Sequence, residues 1–172
     1  WHEVPGEPHR RRGIGVAFLM QGSGIPNLDM GAAAIKMNDD GTFNLMVGAA
    51  DLGTGSDTVL GQIAAEVLGC ALDDMIVRSS DTDVTPFDKG AYASSTTYIS
   101  GGAVARAAEQ VAAQIKEVAG AMLAVDPDEV TLEEGRAWTE DGKGASFREI
   151  ALHALHEHDQ HQIMGQASFM SP

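Results

Sequence analysis

GAADLGTGSDTVLGQIAAEVLG, residues 48–69, contains the change of pattern on which the reading of the whole chain turns. Its first half is a glycine-rich turn. Its second half places Val59, Leu60, Ile63, Ala64, Val67 and Leu68 at helical spacing, and Gly69 stands where a left-handed C-cap belongs. Ser56 or Asp57 is placed to accept the first free backbone N–H groups as N-cap. The segment therefore reads as a turn that opens a helix, and a strand is expected ahead of it.

Working back toward the N-terminus, residues 32–37 and 42–47 flank Asn38-Asp39-Asp40-Gly41, a strong hairpin signal because Asp-Gly tolerates positive φ. GIGVAFL, residues 13–19, reads as a buried strand that Gly22, Ser23, Gly24 and Pro26 break into a loop. Forward from the helix, residues 75–79 read as a short strand and residues 81–101 as a long loop, a length that usually signals function or disorder. A second helix carries Val104, Ala108, Val111, Ile115, Val118 and Met122 on one stripe and is expected to stop at Asp126-Pro127. A hairpin around Glu134-Gly135, a capped helix over 146–155 and a strand over 163–170 complete the reading. Hairpins mixed with amphipathic helices predict an α+β fold with a mixed or mostly antiparallel sheet and two long helices. No repeat or internal boundary is visible, so residues 1–172 are expected to form one domain.

Composition narrows the function. Hydrophobic residues make up 44% of the chain but aromatics only 5%, so the core is expected to rest on aliphatic residues and on the eight Met as gap-fillers and inter-domain contacts. Lys and Arg number 11 against 25 Asp and Glu, a net charge of −14 that repels nucleic acid and anionic membrane. Cys70 is the sole cysteine, which excludes an internal disulfide and a zinc or iron–sulfur site built from cysteine alone; a buried structural thiol is its expected role. No apolar run reaches spanning length and no signal peptide is visible, so the cytoplasm is the expected compartment. The opening at Trp1, without Met, reads as a piece of a longer chain or a matured subunit.

Two segments carry candidate chemistry. In residues 48–57, a helix N-terminus offers unpaired N–H groups to an anionic ligand, and glycines allow close approach. The Walker A lysine and the third glycine of the dinucleotide fingerprint are both missing. In GAYASSTTYISGG, residues 90–102, consecutive hydroxyls sit at the mouth of the second helix and supply donors without added positive charge. Together they read as two loops, each opening a helix, that converge on one anionic ligand.

Residues 48–69 also resemble the glycine-rich segment of the molybdenum-cofactor-binding subunit of the xanthine dehydrogenase/aldehyde oxidase family. SSDTDVTPFDKGAYASSTTYISGGAV, residues 79–104, resembles that subunit's downstream pterin-binding segment, and RRRGIGVAF, residues 10–18, its lead-in. The resemblance runs from about Arg10 to Ala124, in wording nearest to bacterial nicotinate, purine and aromatic-acyl-CoA hydroxylases. It implies one lobe of a molybdopterin-binding domain, with Leu52, Gly53, Thr54, Gly55, Ala91, Ser94, Ser95 and Thr96 on the cofactor and Tyr92 and Ala93 at the substrate pocket. Thr54 stands where many relatives have Gln. The implied cofactor is molybdopterin with molybdenum, in its cytosine dinucleotide form. Iron–sulfur and flavin groups are implied on other segments or subunits, which with the rest of the molybdopterin subunit are the implied partners. The implied reaction is hydroxylation of an N-heterocycle, purine or aldehyde with oxygen from water. The resemblance assigns no residue of this chain to the family's general-base glutamate, so no catalytic residue and no metal ligand is expected, and the chain alone is expected to be inactive.

Two other readings stand beside this one. Asp51-Leu-Gly-Thr54-Gly also resembles the first phosphate loop of actin/hexokinase/Hsp70-like ATPases, where it lies between hairpin strands; the helical pattern that follows here opposes that. The other is a non-catalytic interaction domain. Asp51 and Asp57 form a conceivable acid/base pair, though capping accounts for Asp57. His153, His156, His158 and His161 read as a solvated tail rather than a metal site.

Overall fold

The computed structural model describes residues 2–172. A four-stranded sheet forms the frame, its strands in the spatial order 75–79, 43–47, 30–37 and 164–170. The hairpin Met30–Met37 (β3) and Phe43–Val47 (β4) turns at Gly41, whose φ is +89°, and pairs Met37 with Phe43 and Ala33 with Val47. From β4 the chain runs through residues 48–55 into α1 (Ser56–Leu68) and returns as β5 (Met75–Ser79), parallel to β4. This crossover is the route a parallel neighbour requires. The last strand, β9 (Met164–Met170), lies antiparallel on the other side of β3.

One face of this sheet carries the core. Ile35, Phe43, Leu45 and Val47 point from it into α1 and the long α2 (Thr96–Leu123), meeting Leu60, Ala64, Leu68, Val104, Ala107, Val111 and Ile115, all buried. Small residues on α2 let the helix lie close to the sheet, since a Cβ on Gly102 would sit 2.8 Å from the Phe169 ring. The expected helical stripe is all buried in this layer except Met122, which packs partly buried against it.

At the hairpin-turn end a smaller sheet, β6 (Thr131–Glu133), β7 (Arg136–Trp138) and β8 (Gly144–Ser146), packs with α3 (Phe147–His156). Phe43 and Phe147 meet edge to face there, centroids 5.7 Å apart. Ser146 caps α3 and Glu149 reaches back to it, a complete capping box. Met75 Sδ lies 3.9 Å from the half-buried Cys70 Sγ, and burial pushes that thiol up to about 12, leaving it protonated and unreactive. His158 stacks on His153, ring centroids 6.2 Å apart, and lies tilted against His161 at 6.0 Å, while His153 Nδ1 is 3.2 Å from a Glu157 carboxylate oxygen.

The α+β class and the mixed sheet are as the sequence predicts. Three expectations are corrected. Residues 13–19 form no strand: Ile14 is 90% exposed and Phe18 94% exposed, because no sheet edge among the described residues receives them. The N-terminal strands are instead the polar β1 (His2–Val4) and β2 (Glu7–Arg12), paired with each other. Second, α2 begins at Thr96, so the long loop ends at 95; burial of Ile99, Ser100 and Gly101 overrides the weak helix propensity of that stretch. Third, the α1 cap is neither Ser56 nor Asp57.

Candidate functional site

Register places three loops at one end of the main sheet. β4 and β5 are parallel with Val47 beside Ser79, so residues 48–55 and 80–95 both leave from their C-terminal ends. β3 runs the other way, so the segment that leads into Met30 arrives at the same end. In sheets with parallel strands, carboxyl ends are where ligands are held. Hydrogen bonds tie the loops together. Gly24 donates its N–H to the Ala93 carbonyl at 3.0 Å, and Gln21 Nε2 donates to Ser94 Oγ at 2.8 Å.

The first loop is organised by Asp51. Gly53, Thr54 and Gly55 donate their N–H groups to its Oδ1 at 2.8, 2.9 and 3.2 Å, and Asp57 donates to Oδ2 at 3.4 Å. The cap position is Gly55, left-handed at φ 74°, and no side chain of the helix itself caps it. Desolvation pushes the Asp51 carboxyl up, but the four N–H bonds outweigh it and the group lies below the usual carboxylate range. Asp57 turns away, and its Oδ2 accepts from Ser79 Oγ at 3.0 Å. The two carboxylates thus do not form an acid/base pair: Asp51 is tied up in its own loop, and the capping expected of Asp57 belongs to Asp51.

The second loop is pinned by Asp88. One carboxylate oxygen accepts from the Gly90 N–H at 2.8 Å and the other from Ser100 Oγ at 2.7 Å, while the backbone of Asp88 bridges Gly31. Lys89 Nζ donates to the Leu28 carbonyl. Ala93 and Ser94 are both left-handed, at φ 49° and 50°, a conformation that costs a non-glycine residue about 1–2 kcal/mol each. Strain of this kind concentrates at ligand-holding segments. A cleft of about 390 Å³ lies inside the second loop against Gly48, lined by Gly48, Ser80, Thr85, Pro86 and Asp88 among others, and none of the ten residues singled out from the sequence lines it. Gly48 is required there, since a Cβ would meet the Pro86 carbonyl oxygen at 2.4 Å.

All ten residues singled out from the sequence lie in these two loops or at the first turn of α2. Leu52, Gly53, Thr54 and Gly55 are exposed; Ser95 is 2% exposed and sits at the N-cap of α2. The anchoring roles of Gln21, Asp51 and Asp88 emerge only from the structure. An Asp preceding a Gly-x-Gly turn was the one signal available for Asp51.

Known proteins supply the frame for this geometry. A family model described as "Molybdopterin cofactor-binding domain" matches residues 2–171. The chain belongs to that family. It is 53% identical over 103 residues to the Escherichia coli (strain K12) protein named "Probable hypoxanthine oxidase XdhD", covering 60% of this chain and 11% of that one. It is 38% identical over 128 residues to the xanthine dehydrogenase molybdenum-binding subunit of Escherichia coli O157:H7, covering 73% of this chain and 17% of the relative. Among solved structures it resembles quinoline 2-oxidoreductase from Pseudomonas putida 86, with TM-score 0.75 and 28% identity over 85% of this chain and 20% of that one. This chain therefore spans no more than a fifth of the length of each of these relatives. Membership decides against the ATPase reading. The local topology agrees, since Asp51-Leu-Gly-Thr-Gly joins a strand to a helix and not two strands of a hairpin. No helix among the described residues is long and apolar enough to cross a membrane.

The residues present fit a molybdopterin-type group. Around Gly53 and Gly55 a Cβ would meet nothing within 4 Å, so the outer side of the loop is open to a ligand. Beside it Ser56 Oγ and Asp57 Oδ1 are buried with no hydrogen-bond partner among the described residues, unsatisfied polar capacity at the start of α1.

Proposed function

We propose that this chain supplies two cofactor-holding loops of a molybdenum hydroxylase whose catalytic unit includes further polypeptide. Leu52, Gly53, Thr54 and Gly55 contact the cofactor from one loop. Ala91, Ser94 and Thr96 contact it from the other, and Ser95, buried as a whole residue with its N–H donated to the Tyr92 carbonyl, sets the start of α2 behind them. Tyr92 and Ala93 face the substrate, an N-heterocycle, purine or aldehyde. When bound, the cofactor supplies the chemistry that hydroxylates an electron-poor carbon with oxygen from water. The chain's own part is to bind and orient. Thr54 donates or accepts one hydrogen bond at close range, Ser94 and Thr96 present hydroxyls, and the strained Ala93–Ser94 pair fixes where Tyr92 stands. The cofactor is the cytosine dinucleotide form, and iron–sulfur and flavin groups reside on other segments or subunits in the cytoplasm.

The observation that carries this reading is the convergence of residues 48–55 and 80–95 at one end of the sheet in a molybdopterin cofactor-binding domain. It is tested by co-expressing the chain with the remainder of its molybdenum-binding subunit. Molybdenum is then measured by mass spectrometry, along with the nucleotide released on denaturation. Near-stoichiometric metal and cytosine nucleotide are expected, falling about tenfold or more in Gly53→Phe and Ser94→Phe, where bulk blocks close approach. A well-assembled wild-type complex without molybdenum would overturn the reading.

A further inference from the structure

We propose that Asp51 is a positioning residue whose carboxylate acts as a resident anion at the start of α1, fixing Leu52, Gly53 and Thr54 for the uncharged part of the cofactor and excluding phosphate. This rests on the cofactor reading above. Four consecutive-turn N–H groups, those of Gly53, Thr54, Gly55 and Asp57, already converge on that one carboxylate. A helix N-terminus is ordinarily a ready place for phosphate because such groups are unpaired there. Here they are taken, and a second anion would meet the Asp51 charge at contact range; among the described residues no ion pair reaches Asp51.

What remains available on the loop is of different chemistry. Leu52 is 70% exposed and offers an apolar contact. Thr54 offers a hydroxyl, and the space around Gly53 and Gly55 lets a flat group lie against the backbone. These suit a neutral heterocycle, not a phosphate. Asp57 cannot take over the role, because its carboxylate is turned to Ser79. The loop conformation itself depends on the carboxylate, since Gly53 and Gly55 are both left-handed, at φ 89° and 74°, and glycine alone does not select that state.

Backbone amide hydrogen exchange on the chain tests this without cofactor. In Asp51→Ala, exchange at Gly53, Thr54, Gly55 and Asp57 is expected to quicken about tenfold while the rest of α1 is unchanged. Inorganic phosphate is expected to slow those amides again in Asp51→Ala and to leave wild type unaffected, a response that loss of a purely structural contact does not give. Asp51→Asn keeps the shape and one acceptor oxygen and is expected to fall between, which covers the case where the alanine variant folds poorly. Phosphate-induced shifts of the same amides in wild type, or unchanged exchange in both variants, would overturn the proposal. In the assembled subunit, Asp51→Ala is expected to retain less molybdenum at equal assembly. A wild-type assembly lacking molybdenum refutes the cofactor reading, whereas the exchange and phosphate results decide the role of Asp51 separately.

Discussion

Gly48 and Gly69 both lack a side chain for steric reasons, but only one of those reasons is local. Gly69 is left-handed at φ 66°, and a Cβ there would also lie 2.3 Å from the Leu132 carbonyl oxygen. Gly69→Ala is therefore expected to lower unfolding stability by more than ~2 kcal/mol, combining conformational strain with a backbone clash. Gly53→Ala has the strain without the clash and is expected to cost about 1–2 kcal/mol. Urea unfolding midpoints rank the two, and equal midpoints would contradict the clash. Gly69 could be read from the sequence because it ends an apolar period. The need for glycine at 48 could not, because the Pro86 carbonyl that crowds it comes from a distant loop. The same holds for the candidate site: the two glycine- and hydroxyl-rich loops that meet at one end of the sheet are legible in the sequence as turns that open helices. The anchor Gln21 is not legible, because its partner Ser94 is 73 positions away, whereas Asp51 acts within six positions and leaves only the weak signal of an Asp ahead of a Gly-x-Gly turn.

At the scale of elements, local signals succeeded where they governed the outcome. The Asp-Gly hairpin, α1 and the capped α3 fall where turn chemistry, apolar period and capping place them. Ser146→Ala is expected to cost about 1 kcal/mol by removing one side of the capping box. The pH dependence has a definite sign. Hydrogen bonds from the Ser146 side chain, then its backbone, hold the Glu149 carboxyl below its ordinary 4.5. That contribution is present above pH 4.5 and is lost as pH falls through the lower folded value. Thermal melts of wild type and Ser146→Ala should accordingly converge in acid; a constant gap would show that the charge on Glu149 contributes nothing. Elements decided by tertiary contact were missed. Residues 13–19 have strand composition but no neighbouring edge. Thr96 to Gly102 have poor helix composition, yet Phe169 and Ile63 lie close against the helix there.

The whole molecule is finished on one side only. The helices cover one face of the main sheet; the other leaves Ile76, Met164 and Met170 exposed. In the segment between β2 and β3, Ile14, Val16, Phe18, Leu19 and Met20 are all strongly exposed as well. Apolar surface on this scale marks an interaction site, which accords with a chain that spans a fifth or less of each relative described. The chain on its own is expected to self-associate as concentration rises. The triple variant Ile14→Ser, Phe18→Ser, Leu19→Ser should stay monomeric in analytical ultracentrifugation at an unchanged melting temperature. Persistent association of that variant would move the sticky surface to the open sheet face.

The pairing of β3 with β9 has a consequence for how this chain is made. β3 acquires its hairpin partner β4 almost as soon as both leave the ribosome, but its other flank is met only by Met164–Met170, after nearly all the intervening chain has been translated. Through that interval an alanine-rich strand stands with a row of free backbone donors and acceptors, open to pairing with a neighbouring nascent chain. Whatever shields this flank during synthesis therefore has to do so before Met164–Met170 arrives.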